Sequence, residues 1–302
     1  MSDTTVSLRR KIATAGDLQA VVRTMKALAA SSIGQYEKSV RALADYYRTV
    51  ELGLGACFRG AEPGVITGPR KGLTRAREIS AVVFGSDQGL VGQFNEVVVD
   101  HAIKMLGPVA RTTRVWAVGE RVHARLADAG LRPTGLFSVP TSVEAIAPLV
   151  GQILVDSERH NGQGEVTELH LFYNRPTSGE VYAPVSQQML PLDDGWRRKL
   201  AELPWPTGNL PEVMGSGTAT LRALVREYLF ISLFRACADS LASENASRLA
   251  AMERADRNID ELLESLHGTF HRLRQSAIDE ELFDVISGFE ALSTGKAHRN
   301  AG

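Results

Sequence analysis

The stretch TLRALVREYLFISLFRACADSLASENASRLAAMERADRNIDELLESLH (220–267) decides the architecture. It holds no glycine and no proline. Glycine is absent between Gly217 and Gly268 and proline after Pro211, so nothing stops a helix that nucleates there. Apolar residues recur at Leu221, Leu224, Tyr228 and Ile231 and, after a polar middle, at Ile259, Leu262, Leu266, Phe270, Leu273 and Ala277. Steps of three and four keep one stripe in register at close to the supercoiling period, so the stripe calls for a partner helix. A helix from Thr218 to Leu292 would be on the order of 110 Å long at 1.5 Å per residue, and most of it would protrude.

The partner lies at the other end of the chain. Before the first proline, Pro63, apolar residues stand at Leu18, Val22, Met25, Ala29, Ile33, Tyr36, Val40, Leu43, Tyr47, Val50 and Leu54, again in alternating steps of three and four. Two such stripes pair antiparallel only if the residues between them form a compact unit that brings the ends together. The expected layout is a coiled-coil helix over 1–58, an inserted α/β domain over 59–213, and a second coiled-coil helix with a tail over 214–302.

Within the insert, Gly60, Pro63, Gly64, Gly68, Pro69 and Gly72 mark a loop. The apolar, β-branched run ISAVVF (79–84) then ends in the turn-rich GSDQGLVG (85–92), and a helical pattern follows from Phe94 to Leu106. Extended segments at 115–118, near Leu136, at 168–173 and at 181–190 alternate with helical ones at 120–129 and 143–157. This is the pattern of an open, Rossmann-like α/β sheet with helices on its faces. Residues 193–213, with Trp196, Trp205 and three prolines, read as an irregular connector.

The 302 residues are 44% hydrophobic and 23% charged, with a formal net charge of −1. That is an ordinary globular composition without the field that attracts nucleic acid or an anionic membrane. Cys57 and Cys237 read as unpaired small hydrophobes in a reducing compartment. No stretch has the length of a membrane span, and the N-terminus resembles neither a signal nor a transit peptide.

No motif reads as an active site. GSDQGLVG lies where a nucleotide loop would lie, yet it lacks the Lys-Ser/Thr of a phosphate loop and the spacing of a dinucleotide fingerprint. It reads better as a turn with Asp87 or Asn95 capping the next helix. His267 and His271 share a helix face, but no HExxH-type pattern supplies a third ligand, and a solvated face is expected. Ser86, Asp87 and Glu120 offer no nucleophile and base pair. No cofactor and no metal is expected. The charged run Glu253-Arg-Ala-Asp-Arg257 interrupts the apolar seam, which points to a polar socket on a partner in place of the coiled-coil mate.

The residues also resemble a known family. LRRKIA (8–13), MKALAAS (25–31), SDQGLVG (86–92) with Asn95, and PVSQQMLP (184–191) match stretches of the gamma-subunit family of F-type ATP synthases. The strongest matches are LASENASRLAAM (241–252), Asn258, RQSAI (274–278), Glu281-Leu282, ISG (286–288) and EAL (290–292). The resemblance covers the chain from Leu8 to Leu292.

It implies a non-catalytic, central-stalk rotor whose coiled coil stands in a ring of alpha and beta subunits. Its middle domain would rest on the membrane ring that carries ions, beside the epsilon subunit, on the cytoplasmic side of a bacterial inner membrane. Carried over by position, Arg274 and Gln275 would touch a beta-subunit loop near the top of the shaft, and Met25 and Lys26 would face the beta subunits lower down. Glu253, Arg254 and Arg257 are further expected partner contacts. The loops at 85–92 and 193–213 would belong to the foot that meets epsilon and the ion ring.

The chain departs from the family at Val91 and Gln93, where a cysteine and a glycine are usual, and at Glu253 and Arg257, where a lysine and an aspartate are usual. Such reversals imply partners with matching changes, and hence a divergent or second-copy branch. Two readings from the residues alone stay open beside it: a coiled-coil adaptor or tether with a ligand-binding α/β domain, and an enzyme housed in that domain.

Overall fold

Five strands build the sheet: β1 (Ile79–Phe84), β2 (Arg114–Val118), β3 (Pro133–Phe137), β4 (Glu168–Arg175) and β5 (Ala183–Leu190), in the order β3-β2-β1-β4-β5. The first four are parallel, and β5 runs antiparallel to β4 on the edge. The computed structural model describes residues 4–60, 79–110, 112–160, 168–209, 211–212 and 217–299. Most of the Gly/Pro-rich loop expected after Gly60 lies outside them.

Strand β1 is central and apolar on both sides, as a covered parallel strand must be. Ala81 and Val83 face a cluster built with α3 (Phe94–Leu106) and α4 (Glu120–Asp128), through Val98, Val99, Ala102, Val122 and Leu126. Val82 and Phe84 face the opposite cluster, which takes in Trp116, Leu171 and Tyr173 and is covered by α5 (Ile146–His160), α2 (Ala44–Gly60) and the first third of α7 (Gly217–Arg299). The apolar stripe at Leu221, Leu224, Tyr228 and Ile231 therefore packs into a cluster that includes a sheet face as well as helices.

By internal contacts the chain divides into two units, residues 28–251 and residues 1–27 with 252–302. The second unit is an antiparallel helix pair. In it α1 (Thr5–Ala42) contributes its first turns and α7 its last ones. Leu8, Ala15 and Met252 are buried. The Arg9 guanidinium lies 5.7 Å from the centre of the Phe270 ring, while Lys26 reaches back to Glu253.

Four local expectations need correction. The N-terminal helix is interrupted at Leu43, between α1 and α2, without a glycine or proline to signal it; the Leu43 N–H still reaches Ser39 O, at 3.3 Å. The seam is set one residue off the expected one in two places. Leu18 and Leu262 are exposed, and Gln19 and Leu263 hold the partly covered positions. Ala277, beyond the paired segment, is exposed too.

The supposed irregular connector contains α6 (Asp194–Glu202). The Asp193 carboxylate accepts the Trp196 N–H at 2.8 Å as its N-cap. Trp196 packs 4.7 Å from the Tyr228 ring, and Leu200 is buried. Arg59 donates to the carbonyls of Ala201 and Leu203, both at 3.0 Å, closing the other end of α6.

Gly55 is where α2 and α6 meet, and a Cβ there would lie 2.3 Å from the Leu200 carbonyl oxygen. Gly34, in α1, has nothing within 4 Å of a Cβ. Gly55→Ala should therefore cost about 1–3 kcal/mol by forcing the two helices apart, whereas Gly34→Ala should add about 0.5–1 kcal/mol through helix propensity. Denaturant titration of both full-length variants checks the opposite signs.

Candidate partner-contact site

The polar run in α7 faces its own helix mate. Gln19 Nε2 donates to Asp260 Oδ1 at 2.5 Å and to Asp256 Oδ1 at 3.4 Å. Arg23 Nε donates to Asp256 at 3.2 Å, and Lys26 Nζ stands 3.9 Å from Asp256 and 4.0 Å from Glu253. The Asp256 side chain is only 17% exposed, so the layer is an inward polar insertion in the apolar seam. Exposed pairs of this kind add about 0–1 kcal/mol each. Their larger effect is to fix axial register, as a polar group at a seam position does in coiled coils. Asp256 thus meets the helix mate from inside the seam, and Glu253 meets it from an exposed edge.

Of the seven residues expected to touch partners, the structure brings together only Lys26 and Glu253. Met25 is half-buried on α1. Arg254, Arg257, Arg274 and Gln275 are solvent-exposed on α7. Sequence reasoning missed Gln19, Arg23 and Asp256; the signal was the polar residues inside a three-four apolar stripe, which were read as facing away. Beyond Leu273, α7 exposes Ile278, Leu282, Phe283, Val285 and Ile286. Positions 278, 282, 285 and 286 return to one side of a helix, so this is an apolar face open to solvent.

The 28–251 unit holds a second polar assembly, where α7 crosses the C-terminal ends of β1 and β4. There Asp239, Ser240, Ser243, Glu244 and Ser247 are buried. Ser243 Oγ donates to Asn174 O at 3.1 Å, Asn174 Nδ2 donates to Phe94 O at 2.9 Å, and Ser247 Oγ donates to Val91 O at 2.5 Å. Arg248 donates to Glu244 at 2.6 Å, and Arg175 to Asp239 at 3.2 Å. Burial pushes both carboxyls above the ordinary carboxylate range, with Arg248 drawing Glu244 back and Arg175 and Arg235 drawing back Asp239.

The same region settles the glycine-rich loop. Ser86 N–H donates to Asn95 Oδ1 at 3.0 Å, and Asn95 Nδ2 to Ser86 Oγ at 2.9 Å. Asp87 accepts the Glu120 and Val139 N–H groups, each at 2.9 Å. Asp87 thus caps α4, not the helix that follows it, and Asn95 ties the loop to itself. A Cβ on Gly85 would strike Val122, and one on Gly119, at φ 118°, would come 2.7 Å from Ser86 O. The switch point of the sheet, where nucleotide loops open in other α/β proteins, is filled by the chain's own groups.

Among the described residues no cluster of three or more His, Cys, Asp and Glu side chains could hold a metal. His267 and His271 stack with ring centres 6.5 Å apart on an exposed face. Cys57 and Cys237 are free and buried. No helix among the described residues is long and apolar enough to cross a membrane.

Comparison with known proteins gives one answer. The family model described as ATP synthase matches residues 4–292. The ATP synthase gamma chain of Moorella thermoacetica is 26% identical over 94% of this chain and 98% of its own. That of Anaeromyxobacter sp. is 27% identical over the same shares. Among solved structures, a chain of the Euglena gracilis mitochondrial ATP synthase OSCP/F1/c-ring assembly superposes with a TM-score of 0.62 at 17% identity, over 97% of this chain and 95% of that one.

Arg248→Met leaves the buried Glu244 carboxylate without its cation, an expected loss of about 3–5 kcal/mol near neutral pH. A carboxyl whose folded pKa is raised favours folding below its unfolded pKa, about 4.3, and loses that contribution as pH rises through the folded value. The deficit relative to the parent should therefore shrink on going from about pH 8 to about pH 5. Denaturation at each pH checks it, and a constant deficit would mean that Glu244 is not the cause.

Proposed function

This chain belongs to the ATP synthase family, and from that premise we propose that it turns as a central-stalk rotor of the gamma type. It couples ion passage through the membrane ring to ATP synthesis or hydrolysis in the ring of alpha and beta subunits. The observation that carries this is the antiparallel pairing of the chain's two ends by a graded set of ion pairs, in a chain matched along residues 4–292.

Physically, a rotor of this kind is a ligand that moves. It biases the beta subunits only where it touches their conformations unequally, since a contact made equally with every state shifts nothing. The open apolar face at Ile278, Leu282 and Ile286 fits a surrounding sleeve. The exposed Arg254, Arg257, Arg274 and Gln275, with the apolar Met25 and the cationic Lys26 on α1, are the contacts we assign to the ring. Glu253 shares that surface while pairing with Lys26.

We assign the α/β insert, 59–213, to the foot that meets the epsilon subunit and the ion-carrying ring. The chain is a peripheral part of a membrane enzyme. We propose the cytoplasmic face of a bacterial inner membrane as its location, in line with its relatives in Moorella thermoacetica and Anaeromyxobacter. Identities of 26–27% to those relatives are compatible with a divergent or second-copy branch.

Tagged chain recovered from native membranes in mild detergent should bring two larger nucleotide-binding subunits, several copies of each per rotor, with ATPase activity. Recovery of a self-associated chain without ATPase would overturn the assignment. In the assembled complex, Arg274→Ala with Gln275→Ala should lower ATPase turnover more than it lowers assembly; equal loss of both would make the pair structural only.

A further inference from the structure

A cavity of about 310 Å³ opens between β5, α2 and α7 in the 28–251 unit, away from the switch-point loop and from the helix pair. Its lining is unusual for a gap beside a sheet. Arg235 and Ser232 come from α7, Arg175 from the end of β4, Gln187 from the edge strand and Tyr47 from α2. Antiparallel pairing explains the convergence. Val185 and Gln187 oppose Tyr173 and Leu171, so alternate residues of both strands point to the face that α7 covers, and Arg175 is two residues beyond Tyr173 on that face.

Two guanidiniums share one buried carboxylate. Asp239 accepts from Arg175 at 3.2 Å but stands 3.9 Å from Arg235 Nε, outside hydrogen-bonding distance. Arg175 also donates to the Tyr173 hydroxyl, which leaves it held on two sides and oriented. Arg235 is half exposed at the cavity mouth. Ser232 Oγ is buried in the wall and makes no hydrogen bond of ordinary geometry among the described residues, although it is close enough to the Tyr228 hydroxyl to affect that group's acidity. The remaining acid nearby is Glu51, next to Tyr47, whose carboxyl burial holds above its ordinary range.

We infer that this cavity is a binding site for a small oxyanion, a phosphate or carboxylate group, clasped by Arg235 and Arg175 and received by Ser232 and Gln187. Guanidinium supplies the planar fork that matches either group. The serine hydroxyl and the amide complete the donor set. Asp239 holds Arg175 in place. The volume admits a compact solute, not a dinucleotide. This role is independent of the rotor assignment.

The test uses the full-length chain at constant ionic strength and titrates inorganic phosphate and, separately, acetate in an isothermal calorimeter. The expected result is saturable binding of one of them, weakened at least tenfold by Arg235→Gln and reduced by Ser232→Ala. Saturation by phosphate alone assigns a phosphorylated solute; saturation by acetate alone assigns a carboxylate. Arg235 is half exposed, so its replacement should fold, and a thermal melt of the variant verifies that. No saturable heat with either anion, or binding unchanged in a folded Arg235→Gln, overturns the proposal.

Discussion

The constraint on which the 28–251 unit depends is that α7 crosses the sheet with a polar face buried. Asp239, Ser243, Glu244 and Ser247 lie within the protein, and each buried group would cost about 1–3 kcal/mol if left unpaired. The end of β4 and the glycine-rich loop meet them one by one, through Arg175, Asn174 and Val91, and Arg248 meets Glu244 from one turn along the same helix. A slip of one residue would turn the helix by about 100° and strand the whole row. An apolar interface tolerates sliding; this one specifies a single rotation and a single height.

The same pairing leaves the glycine-rich turn at the sheet's switch point little of what a nucleotide site offers. Such a site needs free N–H groups and an open helix N-terminus. Here the Asp87 carboxylate occupies the N-terminus of α4, the Ser86 N–H is committed to Asn95, and the Val91 carbonyl is committed to α7. The turn has become a clasp on the long helix.

How much was legible follows from what periodicity can carry. The strands and the helices α3, α4 and α5 announced themselves through runs of buried residues and turn punctuation, because burial on two faces or one leaves a repeating mark. The seam was legible in its period but not in its phase. Leu18 and Leu262 are larger and more apolar than Gln19, yet the geometry of the pair puts Gln19 and Leu263 inward, where Gln19 finds Asp260. Helix α6 was hidden by the prolines that end it, although Asp193 three residues before Trp196 was a usable cap signal. The polar face of α7 was read as a solvated middle, since a serine that hydrogen-bonds to a strand carbonyl and one that hydrogen-bonds to water are the same letter. Of the site, Lys26 and Glu253 were named as partner contacts without the contact they make with each other, and Asp256, the most enclosed member of the layer, was not singled out.

The departures from the family pattern divide along the same line. Relative to the lysine usual at its position, Glu253 is a charge reversal, and it was first taken to demand matching changes in partner subunits. Its carboxylate stands 4.0 Å from Lys26 Nζ, where a lysine would set two ammonium groups against each other across the seam. The reversal is therefore met in part inside the chain. Arg257, the other reversal, is exposed on α7, and Asp256 beside it supplies the inward charge. Both changes lie on exposed positions, but Glu253 has a contact within the helix pair as well. Divergence in this shaft is thus partly an exchange within the hairpin and partly a change of the charges it presents outward, at Glu253 and Arg257.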